Sequence, residues 1–254
     1  MSKDKTRQIV NIVATILVIV VNALANALPL NGLNTGEISD RFDVLFVPAG
    51  YVFAIWGVIY LGLIAFTVFQ ALPAQRENPR LRRIGWWYAL GCLANSAWIF
   101  LWHYEVFPLT IVAMLLLLAS LLAVYLRLGV GREQVGAAEM WAAHVPFGIY
   151  LGWISVATIA NATDVLDYIG WNGWGLSPEV WAVIMIAVAA LLTMAMALAR
   201  RDAAYALVIA WAALGIGIKQ AGTEVVARSA YVLAAIAALM AVAAIARRLR
   251  PAKT

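Results

Sequence analysis

Apolar stretches about as long as a membrane is thick recur along the chain, and this repetition limits the chain to a membrane-embedded fold. A helix rises about 1.5 Å per residue, so roughly 20 apolar residues cross the hydrocarbon layer. Backbone groups in lipid must be satisfied internally, and the alternation typical of barrel strands is absent, so we predict helices. The predicted spans are 9–28, 49–71, 84–103, 108–127, 139–160, 179–199, 203–219 and 225–246. The predicted fold class is an all-α polytopic membrane bundle with about eight transmembrane helices.

The composition supports lipid as the solvent of this chain. Of the 254 residues, 65% are hydrophobic and only 12% are charged, whereas a soluble domain usually carries about 25% charged residues. The net charge of +5 does not indicate a nucleic-acid partner, because the basic residues border the apolar spans. Cys92 is the only cysteine and lies inside a span, so no disulfide forms within one chain.

The distribution of basic residues predicts the orientation. One side of the predicted membrane receives 15 of the 18 basic residues. They are Lys3, Lys5, Arg7, Arg76, Arg80, Arg82, Arg83, Arg127, Arg132, Arg200, Arg201, Arg247, Arg248, Arg250 and Lys253. The other side receives Arg41, Lys219 and Arg228. Cytoplasmic loops carry the excess of basic residues, so we predict that both termini are cytoplasmic and that the membrane is a bacterial inner membrane.

The first apolar stretch has two interpretations. A basic segment precedes it, and residues 25–27, Ala-Asn-Ala, resemble the cleavage site of a signal peptide. The apolar run is long for a signal core, which favours a retained first helix.

Two outer loops interrupt the pattern. Residues 29–48 contain Pro29 and Pro48, and residues 162–178 place Trp171 and Trp174 between glycines. Tryptophan at this depth is typical of an interfacial anchor, and the alternative is a flexible cover over a site that opens outward. The spans after this second loop are rich in alanine and are predicted to be packing helices.

Polar residues within the spans are candidate site residues, because a polar group in lipid costs free energy unless it is paired. Asn22 and Asn26 share one face of the first helix, Asn95 lies in the third span and Asn161 ends the fifth. The alternative role for each is a hydrogen bond between helices, worth about 0.6 kcal/mol.

Aromatic side chains form stripes at helical spacing on three spans. The stripes comprise Phe53, Trp56 and Tyr60 on the second span, Trp98 and Trp102 on the third, and Trp153 on the fifth. Such stripes often serve packing. Flat faces combined with a few amide groups also suit a planar apolar ligand, which is the functional interpretation.

The two histidines do not indicate a metal site. His103 ends the third span on the outer side, and His144 begins the fifth on the inner side, so a paired-histidine haem site is not expected. We expect His103 to be interfacial and hydrogen-bonded near Glu105, and His144 to bond a carbonyl freed by Pro146 or to line a polar path. No catalytic motif, P-loop or zinc-protease signature occurs, and no catalytic residue is assigned.

Three segments resemble the TspO/MBR family, the tryptophan-rich sensory proteins related to the translocator protein. They are PAGYVFAIWGVIY in the second span, NSAWIFLWHYE in the third and PFGIYLGWISVATIAN in the fifth. The resemblance implies a five-helix core over residues 1–161, with an outer loop at 162–178 and three additional helices with a basic tail at 179–254. The chain is thus expected to be a divergent member of that family.

The resemblance also implies a pocket beneath loop 29–48. The ligand would be a porphyrin or other tetrapyrrole, haem included, or an isoprenoid- or sterol-type lipid. The implied ligand-binding residues are Phe53, Trp56, Tyr60, Asn95, Trp98, Trp153 and Asn161.

Several functions remain open from the residues alone. The first is a membrane-embedded sensor or carrier that binds such a ligand, with membrane lipid and a possible homodimer as partners. The second is an accessory structural subunit of a larger membrane complex, docked through residues 179–246. A secondary transporter is a third, and a tetrapyrrole-degrading enzyme has the least support, because no acid or base is placed for it.

Overall fold

The computed structural model describes residues 3–28 and 30–249 of the chain. Within these residues the regular elements are helices, and no β-strand occurs, which confirms the predicted all-α fold class. The helices are α1 Lys3–Ala27, α2 Thr35–Ser39, α3 Ile55–Ala71, α4 Pro79–Ile84, α5 Trp87–His103, α6 Phe107–Leu128, α7 Ala137–Glu139, α8 Val145–Tyr168, α9 Pro178–Arg200, α10 Ala203–Lys219 and α11 Glu224–Leu249. The predicted roles of Pro29, Arg250, Lys253 and the Arg248 side chain lie outside the described part of the chain.

Each predicted span coincides with an apolar helix. Among the described residues, six helical segments are long and apolar enough to cross a membrane, so the chain is an integral membrane protein. They are Lys3–Ala27, Gly50–Ala71, Phe107–Leu128, Ala137–Tyr168, Pro178–Arg200 and Glu224–Arg247. Helices α5 and α10 have 17 residues each, or roughly 26 Å. That is shorter than the hydrocarbon layer of about 30 Å, so their full crossing stays a prediction.

The two predicted outer loops contain more helix than expected. Helix α8 continues to Tyr168, so the predicted loop 162–178 is wrong in its first part, and only residues 169–177 lie outside the long helices. In the first loop, Asn34 caps α2 by accepting bonds from the backbone of Gly36 and Glu37, while the Glu37 side chain accepts from the Asn34 backbone. This capping box explains a short helix in a segment without apolar periodicity.

The described chain forms two compact units. The first comprises residues 3–43, 56–129 and 133–147, and the second comprises residues 44–55, 130–132 and 148–249. The division at residue 161 was implied by the family resemblance and stays a prediction.

In the first unit, α5 packs against both α1 and α6. Residues 133–147, which follow α6, also belong to this unit, and there Phe147 meets Phe66 edge-to-face at 4.9 Å. A π-helical turn, Met140–His144, precedes Phe147. Pro146 is the physical reason, because a proline ring has no N–H and collides with the carbonyl four residues earlier.

In the second unit, α10 packs against α9 and α11. Helix α8 also lies close to α10, since a Cβ atom on Gly148 would lie 2.7 Å from Asp202 Oδ2. The segment 44–55 contacts α10, because the Ala49 N–H donates to the Gly215 carbonyl of that helix at 3.1 Å. Alanine and glycine permit these close approaches, as expected for packing helices.

Candidate functional site

Residues 30–43 form a loop segment, called the cover below, that is anchored to the ends of α1 and α5 in the first unit. Its main anchor is His103. The His103 side chain is fully buried. Its Nδ1 lies 3.1 Å from the Leu30 carbonyl, and its Nε2 lies 3.1 Å from the Thr35 hydroxyl. A carbonyl only accepts, so Nδ1 donates and, in the neutral ring, Nε2 accepts from Thr35. Both ring nitrogens therefore serve to hold this segment.

Further hydrogen bonds hold the first half of the same segment. The Asn31 amide donates to the His103 carbonyl at 3.0 Å, and the Trp102 indole donates to the Thr35 carbonyl at 3.2 Å. The Thr35 N–H donates to Asn26 Oδ1 of α1 at 3.4 Å. Asn31 adopts φ 56°, the left-handed region that asparagine tolerates better than most residues. The cover is thus an ordered segment that is hydrogen-bonded to both α1 and α5.

The expected pairing of His103 with Glu105 is wrong. Glu105 binds Arg41 instead, with Arg41 Nη1 2.5 Å from Glu105 Oε1. The hydrogen bond from Arg41 lowers the pKa of Glu105 and raises the pKa of Arg41. This exposed ion pair joins the end of the cover to the turn after α5, while Phe42 packs edge-to-face on Phe107 at 4.9 Å.

A pair of buried asparagines lies one to two turns below the cover. The Asn22 amide of α1 donates to Asn95 Oδ1 of α5 at 2.7 Å, and to the Val18 carbonyl of its own helix at 2.8 Å. Asn26 donates back to the Asn22 carbonyl at 3.0 Å. Asn22 is 3% exposed and Asn95 is 1% exposed, so these amides are shielded polar groups inside the unit.

Two stacked aromatic pairs belong to the same unit. Trp98 and Trp102 stack with their centroids 5.2 Å apart and their planes 17° apart. Trp56 and Tyr60 stack at 5.6 Å and 23°. Each pair offers a flat apolar face, and Trp98, Trp56 and Tyr60 are all half-buried. Four of the predicted ligand-binding residues, Trp56, Tyr60, Asn95 and Trp98, therefore lie in the first unit.

The other three predicted residues lie in the second unit. Phe53 meets Trp153 edge-to-face at 5.7 Å, so these two predicted site residues are in contact. Asn161 is 2% exposed and lies further along α8. Phe53 lies in the tight helical turn Gly50–Ala54, whose geometry differs from that of the α-helix assumed for the aromatic stripe. It stays a prediction that all seven residues line one binding site.

Sequence reasoning missed most of a polar stripe on the N-terminal half of α1. Gln8 donates to the Gln70 carbonyl at 2.7 Å, and Asn11 donates to the Gln70 side chain at 3.4 Å. The hydroxyl of Thr15 lies 2.5 Å from that of Tyr88. The signal was present in the spacing of residues 8, 11, 15 and 22, which lie on one helical face. These bonds join α1 to α3 and α5.

Two further features belong to the second unit. Trp171, Trp174 and Trp181 form an aromatic cluster in which Trp181 donates to the Gly173 carbonyl at 2.8 Å, and Trp174 is 77% exposed. Asp164 is buried on α8, and its Oδ1 has no hydrogen-bond partner among the described residues. The interfacial anchor and the flexible cover both stay predictions for this loop.

The comparison with known families decides the family of the chain. A family model described as TSPO-like protein matches residues 8–243. The chain belongs to this family. The match to the TSPO-like family extends beyond the motifs in residues 9–161 and includes α9, α10 and most of α11. No curated protein and no solved structure matches the chain.

Proposed function

We propose that this TSPO-like protein binds a planar apolar ligand at the covered end of the first unit, acting as a sensor or carrier. The ligand class is a porphyrin or other tetrapyrrole, or an isoprenoid- or sterol-type lipid. The observation that carries the proposal is the Asn22–Asn95 amide pair, which lies within the apolar interior one to two turns below a hydrogen-bonded cover. In this unit the ligand contacts four of the predicted ligand-binding residues, which are Trp56, Tyr60, Asn95 and Trp98.

The chemistry of these groups supports such a ligand. Stacked indoles present flat, apolar and polarisable faces that accept another ring by offset stacking. A ligand pocket is mainly apolar, with a few polar groups that fix orientation. The amide groups of Asn22 and Asn95 bond each other in the structure, and they would exchange this bond for bonds to a ring nitrogen, a carboxyl group or a hydroxyl group of the ligand. No catalytic role is proposed for any residue.

The cover supports a route of entry at this end. Its contacts are hydrogen bonds to His103, Trp102 and Asn26, each worth about 1 kcal/mol net, and one exposed ion pair, so the segment 30–43 opens as a unit at a cost of several kcal/mol. Opening exposes the ends of α1 and α5 while leaving the helices in place. The ligand then reaches the amide pair from the predicted outer side.

Titration of purified protein with protoporphyrin IX tests the proposal through quenching of tryptophan fluorescence. Trp98→Ala and Asn95→Ala are expected to weaken binding about tenfold, as the loss of about 1.4 kcal/mol of contacts would. Trp141→Ala is the matched control, because Trp141 is 71% exposed in the same unit. Equal binding by all variants, or equal loss in the control, contradicts the proposed site.

The polar stripe of α1 favours a second candidate function, movement of the ligand across the bilayer. Gln8, Asn11 and Thr15 extend polar groups from the inner end towards Asn22, with the buried Val18 between. Release of entrapped porphyrin from proteoliposomes measures this function. Ligand binding without release supports the sensor, and release that is abolished by Asn11→Leu supports the transporter.

We also propose the orientation with cytoplasmic termini in a bacterial inner membrane. Labelling of introduced cysteines in a Cys92→Ala background tests it, because Asn172 and Gln134 are exposed positions on opposite predicted sides. Asn172→Cys is expected to react with an impermeant maleimide in intact cells. Gln134→Cys is expected to react only after permeabilisation, and the reverse pattern refutes the orientation.

A further inference from the structure

The second unit carries a groove between α9 and α11 that the ligand site does not use. Its volume is about 300 Å³. It is lined by Ala197, Leu198, Ile236, Leu239, Met240, Ala243, Ala244 and Arg247. Seven of these residues are apolar and one is cationic, so the groove has an apolar body and one charged position.

Alanines create the groove between two helices that are otherwise in contact. Ala197 and Ala244 are 4% and 2% exposed and form its floor, where a methyl group leaves space unfilled. Leu198 and Leu239 are 58% and 70% exposed and form its walls. The groove is therefore open to the surroundings of the helices, which in an integral membrane protein are lipid chains.

The charged position lies at one end of the groove. Ile236, Met240, Ala243 and Arg247 follow one another at three- or four-residue spacing, so they lie along one face of α11. From Ile236 to Arg247 the helix rises roughly 16 Å. Arg247 lies in the last turns of α11, on the side where basic residues accumulate, and its guanidinium suits a phosphate.

We infer that this groove binds a membrane phospholipid with a net anionic headgroup. One acyl chain lies along the alanine floor, and the headgroup phosphate contacts Arg247. The charge complementarity selects the headgroup, because basic residues beside a membrane attract anionic lipids and not zwitterionic ones of the same chain length. This site is independent of the proposed ligand site, which lies in the first unit.

Native mass spectrometry of the full chain tests the inference, with added phosphatidylglycerol or phosphatidylcholine of identical acyl chains. The wild-type protein is expected to bind phosphatidylglycerol more tightly. Arg247→Ala is expected to weaken that binding roughly fivefold, the effect of one basic residue at an anionic surface, and Arg247→Lys to retain most of it. Ala243→Phe fills the groove and is expected to weaken binding of both lipids.

Arg132→Ala is the matched control, because Arg132 is an exposed arginine in the same unit that does not line the groove. It is expected to leave both affinities unchanged. Equal affinity for the two lipids in the wild type, or no effect of Arg247→Ala, overturns the inference. Complete disulfide cross-linking of Leu239→Cys between two copies also overturns it, because a second copy then fills the groove.

Discussion

The Asn22 amide donates a 2.7 Å hydrogen bond to Asn95 Oδ1, and this bond joins α1 to α5 below the cover of the first unit. Both side chains are buried, so neither amide has water as a substitute partner. The pair thus holds the two helices together, and in the proposed function it also supplies polar groups to the ligand.

The hydrogen bond between Asn22 and Asn95 predicts a measurable interaction free energy between these two residues. In a double-mutant cycle of Asn22→Ala and Asn95→Ala, the interaction energy is expected to be about 0.6–1.7 kcal/mol, the range found between membrane helices. Unfolding in mixed micelles gives the four free energies. Additive effects, with no coupling beyond error, contradict the bond.

Replacement of His103 is expected to loosen the cover. His103→Phe keeps an aromatic ring but removes both bonds to Leu30 and Thr35, each worth about 1 kcal/mol. Tryptic cleavage at Arg41, which follows the population of the open segment, is expected to accelerate roughly fivefold or more. Tyr104→Ala, an exposed neighbour, serves as the control. Unchanged cleavage in His103→Phe indicates that other contacts hold the segment.

The ion pair of Arg41 and Glu105 predicts a pH dependence of the same cover. Arg41 lowers the pKa of Glu105 below its ordinary value of 4.5, so the pair stabilises the folded segment fully above pH 4.5. That contribution is lost as the pH falls through the lowered pKa. Wild type is expected to resist cleavage slightly better than Glu105→Gln at neutral pH, because exposed pairs contribute little.

A protease that works in acid, such as pepsin, extends this comparison below pH 4.5. The difference between wild type and Glu105→Gln is expected to shrink there towards zero. A difference that grows in acid has the wrong sign for a lowered pKa and refutes the role of the pair.

Substitution of Gly131 is expected to destabilise the second unit strongly. Its φ of +76° lies in the left-handed region, and an added Cβ would overlap the Arg200 carbonyl oxygen. Gly131→Ala is expected to lower the free energy of unfolding by about 1–3 kcal/mol from strain alone, and by more from the clash. Gly222→Ala, with no atom within 4 Å, is the control for thermal unfolding. Equal melting temperatures contradict the close approach.

The membrane-spanning helices were predictable because each depends on local composition. Lipid requires about 20 apolar residues that satisfy their own backbone bonds, and this requirement can be read from each stretch separately. The loop boundaries were less accurate. Residues 162–168 look like loop because they are more polar, yet α8 continues through them to Tyr168.

The site was predictable only in part. The spacing of Asn22 and Asn26 placed them on one face, and the aromatic stripe anticipated the stack of Trp56 on Tyr60. The role of His103 was not predictable from its neighbour Glu105. Its partners Leu30 and Thr35 lie about seventy residues earlier, and only the folding back of segment 30–43 brings them to the ring.

The sequence by itself determined that this chain consists of apolar membrane helices and which side chains share a face on each helix, because hydropathy and helical periodicity are local properties. Only the tertiary structure decided that Asn22 faces Asn95, that His103 secures the cover and that alanines leave a groove beside Arg247. These pairings depend on which helical faces meet, and that is settled by the packing of distant segments, which no local pattern records.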